Sequence, residues 1–416
     1  DDETVFSSTR PSGDATNSNA PAPALTDIVV SGNKDNTVRV WDKNTGKEVY
    51  ILTGHTDDVT SVAIDGEYIV SGSKDNTVRV WDKKTGREVR NLDSGVEIPF
   101  NKVTSVAIQG NVIVSGSADN KMRMWLIGGY VDFSHGNYVF LNKQQAARDE
   151  LLYTVDHPEM VTSVAIGGLD GEYLVSGCID NVVRLWNRQY GTFIRQFTGA
   201  TVVAITRNEN TTNPTIVGGT LMSQGAGIRV WRKSGSFLFE NFSHTDDVTS
   251  VAIDGDYIVS GSNDNTVRVF DIKKRDVKYT FTHTDVTSVA IKGDVIVSGS
   301  RDNTVQIWDN ETGNLVRSLQ NKDSDREGEL KGVTSVAVLL LGLNDAFDGG
   351  FGGTVDVASG GTVDVASGGT VNVAFGGTDV AFGGTGDVAS GGTVDVGFGF
   401  TDDFASGGTV DVGFGF

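Results

Sequence analysis

The chain has one cysteine, Cys178, so no intramolecular disulfide can staple it and no thiolate-rich zinc site can form. That usage fits a reducing compartment better than an oxidising one. An intracellular location is favoured; an organellar or secreted one follows if a targeting peptide was removed before Asp1. No apolar run approaches the roughly 18 residues that a membrane-spanning helix needs, so no insertion into a bilayer is expected. Positive charge is scarce: the formal net charge is −20, which argues against nucleic acid or an anionic membrane as the main partner. Beyond Lys331 there is no Lys or Arg at all, while ten Asp residues follow. Histidine is rare as well, with five in 416 residues, and helical periodicity is almost absent.

What is present is repetition. "GHTDDVTSVAIDGEYIVSGSKDNTVRVWD" begins at Gly54 and returns, nearly intact, as "SHTDDVTSVAIDGDYIVSGSNDNTVRVFD" from Ser243. A "VTSVAI"-like run starts at Val59, Val103, Val161, Val248, Val286 and Val333, with a decayed copy at Thr201. Trp41, Trp81, Trp125, Trp186, Trp231, Phe270 and Trp308 close the matching "VRVW" runs, mostly 38 to 45 residues apart with one gap of 61. Short β-branched runs separated by Asp-Gly and Asp-Asn turns read as antiparallel strands, four to a unit. A unit this small cannot bury its own faces, so the units must stack on one another.

The pattern resembles the WD-repeat β-propeller family over roughly Ile28 to Val338. The resemblance implies an all-β fold with seven blades. One blade is split, its Ile28–Gly32 and Thr37–Asp42 strands lying near the start of the chain. Leu315–Leu319 and Val333–Val338 are expected to complete it from the other end, closing the ring. The family ties each blade with a His–Ser–Asp–Trp hydrogen-bond network. The matching residues are His55, Ser71, Asp75 and Trp81; His157, Ser176, Asp180 and Trp186; His283, Ser298, Asp302 and Trp308; and His244, Ser260 and Asp264 with Phe270 in place of Trp. The blades of Trp41, Trp125 and Trp231 lack the His, so weaker ties are expected there.

Three regions lie outside this pattern. Residues 1–27 have the composition of a flexible lead-in. An insert, 126–150, separates the "KMRMW" strand from the next blade's first strand. The resemblance places it on the face opposite the His-bearing loops. It carries Tyr130, Phe133, Tyr138 and Phe140, a second candidate binding surface, and a short helical stretch around Lys143–Leu151. Residues 342–416 repeat "GGTVDVAS" variants, a low-complexity tail that is either disordered or β-stacked; the eight-residue period argues against a calcium-binding repeat.

No constellation of nucleophile, base and oxyanion donor can be assembled, and no cofactor or metal is expected. Four of the five histidines occupy tie positions, and the recurring Asp residues share one turn position. Binding remains. The turn "SxDN" keeps its frame while x changes: Lys34, Lys74, Ala118, Ile179, Asn263 and Arg301. With the loop carboxylates Asp57, Asp58, Asp246, Asp247 and Asp285, these form the expected rim for a polar or charged peptide or protein. The alternative is a structural subunit that uses the tail for self-assembly.

Overall fold

The computed structural model describes residues 27–93, 102–127, 150–168, 171–206, 213–320 and 332–340, with three short strands beyond them at 354–358, 370–375 and 394–398. Seven four-stranded antiparallel sheets form the blades. Blade 1 holds β1 (Asp27–Asn33), β2 (Val38–Asp42) and β3 (Glu48–Leu52). Blade 2 holds β4 (Val59–Asp65), β5 (Tyr68–Ser73), β6 (Thr77–Asp82) and β7 (Glu88–Asp93). Blade 3 holds β8 (Val103–Gln109), β9 (Val112–Ser117), β10 (Lys121–Leu126) and β11 (Glu150–Asp156). Blade 4 holds β12 (Val161–Gly167), β13 (Tyr173–Cys178), β14 (Val182–Asn187) and β15 (Thr192–Thr198). Blade 5 holds β16 (Val202–Ile205), β17 (Thr215–Gly219), β18 (Ile228–Arg232) and β19 (Phe237–Asn241). Blade 6 holds β20 (Val248–Asp254), β21 (Tyr257–Ser262), β22 (Thr266–Asp271) and β23 (Asp276–Thr282). Blade 7 holds β24 (Val286–Lys292), β25 (Val295–Ser300), β26 (Thr304–Asp309) and β27 (Leu315–Gln320).

The ring closes through β28 (Val333–Leu340), which pairs antiparallel with β1 from Asp27↔Leu340 to Asn33↔Val333. Blade 1 is thus one late strand joined to three early ones, in the order β28-β1-β2-β3. The expectation that Leu315–Leu319 would also belong to it is corrected: that run is β27 and pairs with β26 of blade 7. The reason is continuity. Glu48–Leu52 follows β2 through a tight turn and takes the outer place first.

The second strand of each blade is buried on both faces, because it lies between two neighbouring blades; β5 reads buried from Ile69 to Ser73. The core is accordingly a set of seams. Val70, Val78 and Val80 of blade 2 pack with Val103, Val106 and Ile113 of blade 3. Val29 and Trp41 of blade 1 pack with Val297, Val305 and Ile307 of blade 7, so the last seam is filled like the others. The glycine of "VSG" is required by this approach: a Cβ on Gly72 would lie 2.5 Å from Val103 Cγ1.

The "VTSV" run also has a polar purpose. Thr60 Oγ1 donates to the carbonyl of Val103 (2.7 Å), and Val106 N–H donates to Ser61 Oγ (3.0 Å), linking blade 2 to blade 3. The same pair crosses the closure, where Thr334 Oγ1 donates to the Val59 carbonyl and Val62 N–H to Ser335 Oγ. Every inner strand but β16, where Val202 stands in place of the serine, therefore satisfies polar groups on its neighbour, which burial alone would leave costly.

In the tail, β29 (Thr354–Ala358), β30 (Thr370–Phe375) and β31 (Val394–Phe398) pair in parallel, with Val355 opposite Val371 and Val371 opposite Val394. Parallel pairing between these segments is stacking, not the hairpin that Gly-Gly turns alone would favour.

Candidate partner-binding rim

In six blades the turn between the second and third strands is built on Asp-Asn, followed by Thr in blades 1, 2, 6 and 7. Asp75 Oδ1 accepts the Thr77 N–H (2.9 Å), and Asn76 takes the left-handed region at φ 72°. Asn36, Asn120, Asn181, Asn265 and Asn303 do likewise at φ between 61° and 73°, a conformation asparagine tolerates better than most residues. The variable residue just before Asp then bonds through its backbone to the loop entering the same blade. Lys74 N–H donates to the Asp58 carbonyl (3.0 Å), Asn263 to Asp247 (3.0 Å), Arg301 to Asp285 (3.1 Å) and Ile179 to Met160 (3.0 Å). Lys34 bonds to Gly332 and Ala118 to Lys102 in the same way. The six variable residues and the loop aspartates thus share one end of the ring. Lys34, Ile179, Asn263 and Arg301 are exposed there, with Asp57 and Asp285, whereas Ala118, Asp58 and Asp246 are half-buried. Lys74 is held by Asp58 at 2.6 Å.

Beneath the rim lie the ties. In blade 2, Trp81 Nε1–H donates to Ser71 Oγ (2.9 Å), Ser71 Oγ lies 2.7 Å from His55 Nε2, and His55 Nδ1 lies 2.8 Å from Asp75 Oδ2. Burial would raise the Asp75 pKa, but the bonds from His55, Thr77 and the Thr56 N–H outweigh it and hold the carboxyl well below the usual carboxylate range. Blade 6 reproduces the His244–Asp264 (2.8 Å) and His244–Ser260 (2.6 Å) bonds, with a fully buried Phe270 where the indole would be.

Two blades depart from the four-residue pattern. In blade 4, His157 Nε2 meets Ser176 Oγ at 2.7 Å and Trp186 donates to the same oxygen, but Asp180 bonds Arg184 (2.6 Å) instead of the histidine. The cause is local: Pro158 has no N–H to match that of Thr56, and Val182 has no hydroxyl to match that of Thr77. Burial, with the Arg184 charge nearby, lowers the His157 pKa to about 4. In blade 7 the entry loop is one residue shorter and the His283 ring is reversed. Nδ1 meets Ser298 Oγ (2.7 Å), Nε2 meets Thr304 Oγ1 (2.8 Å), and Thr304 relays to Asp302 (2.6 Å), which is 3.9 Å from the ring. Trp308 still donates to Ser298.

In the blades without histidine, arginine takes over. Trp41 and Trp125 keep their serines, Ser31 and Ser115. Arg39 bonds Asp35 (3.1 Å) and Glu48 (2.8 Å), and Arg123 bonds Asp119 (2.5 Å). The signal for this was the arginine of "VRVW", two residues before every repeat aromatic except Trp308, where Gln306 stands. Blade 5 keeps least: Gly218 replaces serine, and a Cβ there would lie 2.9 Å from the Trp231 ring, which instead lies tilted against Phe197 (5.3 Å between ring centroids). Its turn is also different. Met222–Gln224 forms a single 3-10 turn in place of "SxDN", with Met222 64% exposed and Phe242 42% exposed beside it. Sequence reasoning passed over both residues, although "TLMSQGAG" is the one turn lacking the Asp-Asn pair.

The insert enters from β10 and returns into β11, and those strands pair. It is therefore an excursion inside blade 3, between its third and fourth strands, and Glu150 and Leu151 are strand, not helix. Tyr130, Phe133, Tyr138 and Phe140 lie outside the described residues. Among the described residues no group of three or more His, Cys, Asp or Glu is placed to hold a metal, and no helix is long and apolar enough to cross a membrane.

The family model described as "WD domain, G-beta repeat" matches residues 20–42, 46–82, 99–125, 149–187, 235–271 and 275–309. The chain belongs to the WD-repeat family. The stretch between matches, 188–234, covers most of blade 5, where tie and turn are both altered. WD-repeat propellers are typically protein-interaction scaffolds and generally non-catalytic. CCR4-associated factor 4 of Saccharomyces cerevisiae (strain YJM789) is 49% identical over 39 residues, which is 9% of this chain and only 6% of that protein's length. The crystal structure of the computationally designed Ika8 protein is 28% identical with a TM-score of 0.50, covering 74% of this chain and 86% of the design.

Proposed function

We propose that this protein is a non-catalytic scaffold holding a peptide or protein partner on the turn rim. One observation carries the reading: the same backbone hydrogen bond presents Lys34, Lys74, Ala118, Ile179, Asn263 and Arg301 at equivalent points, so one frame offers six different side chains to a partner. Asp57, Asp58, Asp246, Asp247 and Asp285 supply the acidic share of the surface. Lys34 and Arg301 make no ion pair among the described residues, whereas Lys74 is held by Asp58. Affinity capture with the full chain as bait tests this. Lys34→Glu with Arg301→Glu is expected to lose partners that the wild type retains, at an unchanged melting temperature. An identical capture profile would end the rim reading and direct attention to Tyr130, Phe133, Tyr138 and Phe140.

A second reading is a structural subunit that assembles through the tail. It is supported by the parallel, in-register pairing of β29, β30 and β31, a geometry that repeats between chains as readily as within one.

A further inference from the structure

Blades 2 and 6 have nearly the same sequence, and one difference between them changes the chemistry of the rim. Both enter through "HTDD". In blade 2 the second aspartate, Asp58, is neutralised by Lys74 Nζ at 2.6 Å. In blade 6 the residue at the Lys74 position is Asn263, and no Lys or Arg pairs with Asp246 or Asp247 among the described residues. Asp247 Oδ1 instead accepts the N–H of Met222 (2.6 Å), while Asp246 Oδ1 accepts the N–H of Asp247 (2.7 Å) as Asp57 accepts that of Asp58 in blade 2. The Met222 bond seats the blade 5 turn against the blade 6 entry loop, so the exposed Met222 and the Asp246–Asp247 pair lie on adjoining elements of the rim.

The apolar side of this patch is built, not incidental. Thr220, fully buried, anchors the turn by accepting the Gly227 N–H (2.9 Å). Gly225, at φ 84°, lets the Phe242 ring lie close under the turn, where a Cβ would meet the ring at 3.2 Å. Arg229 lies 5.5 Å from the same ring, but it is engaged by Glu240 (3.2 Å) and by the Gly199 carbonyl (3.2 Å). Its charge is spent away from Asp246 and Asp247.

We propose that the Met222–Phe242 knob with Asp246 and Asp247 is a docking site for a partner segment that carries Arg or Lys next to a large apolar side chain. The inference rests on the rim reading and names the partner chemistry of one sector of it. Methionine and phenylalanine supply an adaptable apolar seat, and two carboxylates without a protein cation select positive charge beside it. An acidic segment is rejected by the same pair.

The test uses the full chain and a fluorescein-labelled short peptide with one phenylalanine between two arginines in a Gly/Ser background, read by anisotropy. Two control peptides replace the arginines by glutamates or the phenylalanine by serine. The arginine–phenylalanine probe is expected to bind at least about tenfold tighter than either control. Asn263→Lys copies blade 2 onto blade 6, so it should fold as blade 2 does while weakening the probe about tenfold. Met222→Ser is expected to weaken it about fivefold. Equal binding of the three peptides, or full binding by Asn263→Lys, overturns the proposal. A capture profile that still depends on Lys34 and Arg301 would leave the rim reading intact while this sector fails.

Discussion

At the residue scale the ties store pH sensitivity unevenly. His157, His244 and His283 all have pKa values lowered by burial, His157 to about 4 from an ordinary 6.5. Since the folded state resists protonation that the unfolded state accepts, stability is full above pH 6.5. It falls as the pH drops from 6.5 toward 4, by up to about 1.4 kcal/mol per unit for one such group. Asp264 opposes the shift at His244, whereas Asp180 has turned to Arg184 and leaves His157 less compensated. Urea denaturation at pH 7 and pH 5 should therefore show a larger loss in the wild type than in His157→Gln, and His244→Gln should change the difference less. Equal effects of the two substitutions would mean that the Asp180 detour has no energetic consequence.

At the element scale the decisive piece is β28. It supplies the inner strand of blade 1, the Thr334 and Ser335 links to blade 2, and Val333 and Val336 of the seam with blade 7. Deleting Val333–Leu340 should abolish the cooperative thermal transition of the whole ring, not soften one blade, as followed by calorimetry. A transition retained within a few degrees would show that the ring does not depend on closure. The sequence made this legible because β1 and β2 had no "VTSVAI" before them and an orphan copy stood at Val333. It made the fourth strand less legible: the outer strands share almost no motif, so Glu48–Leu52 and Leu315–Gln320 were interchangeable by pattern and only chain continuity separates them. The ties were legible in blades 2 and 6, where Thr follows both the histidine and the Asn and the entry loop has full length; blade 7 has both threonines but a loop one residue shorter. Pro158 and Val182 were the visible warnings that blade 4 would differ, and Met222 was hidden because it replaces a motif with none.

At the scale of the whole molecule, the propeller and the acidic tail make separate demands. If the tail assembles chains, light scattering on the full protein should show oligomers, and Val371→Ser with Val373→Ser should shift them toward monomer at an unchanged melting temperature. A monomer at every concentration would remove the second reading. The closure also has a consequence in time. The strand that β1 needs is encoded about 300 residues later, so at the ~5–20 residues per second of synthesis β1 waits on the order of 15–60 s with one edge unpaired. During that wait the nascent chain displays six other "VTSVAI"-type strands, several almost identical to the correct one. Fidelity then depends on which copy arrives with its own partner already in place: β4, β8, β12, β16, β20 and β24 each lie next to a second strand of their own, and β28 alone has none. The last strand finds the first because it is the one left without a neighbour.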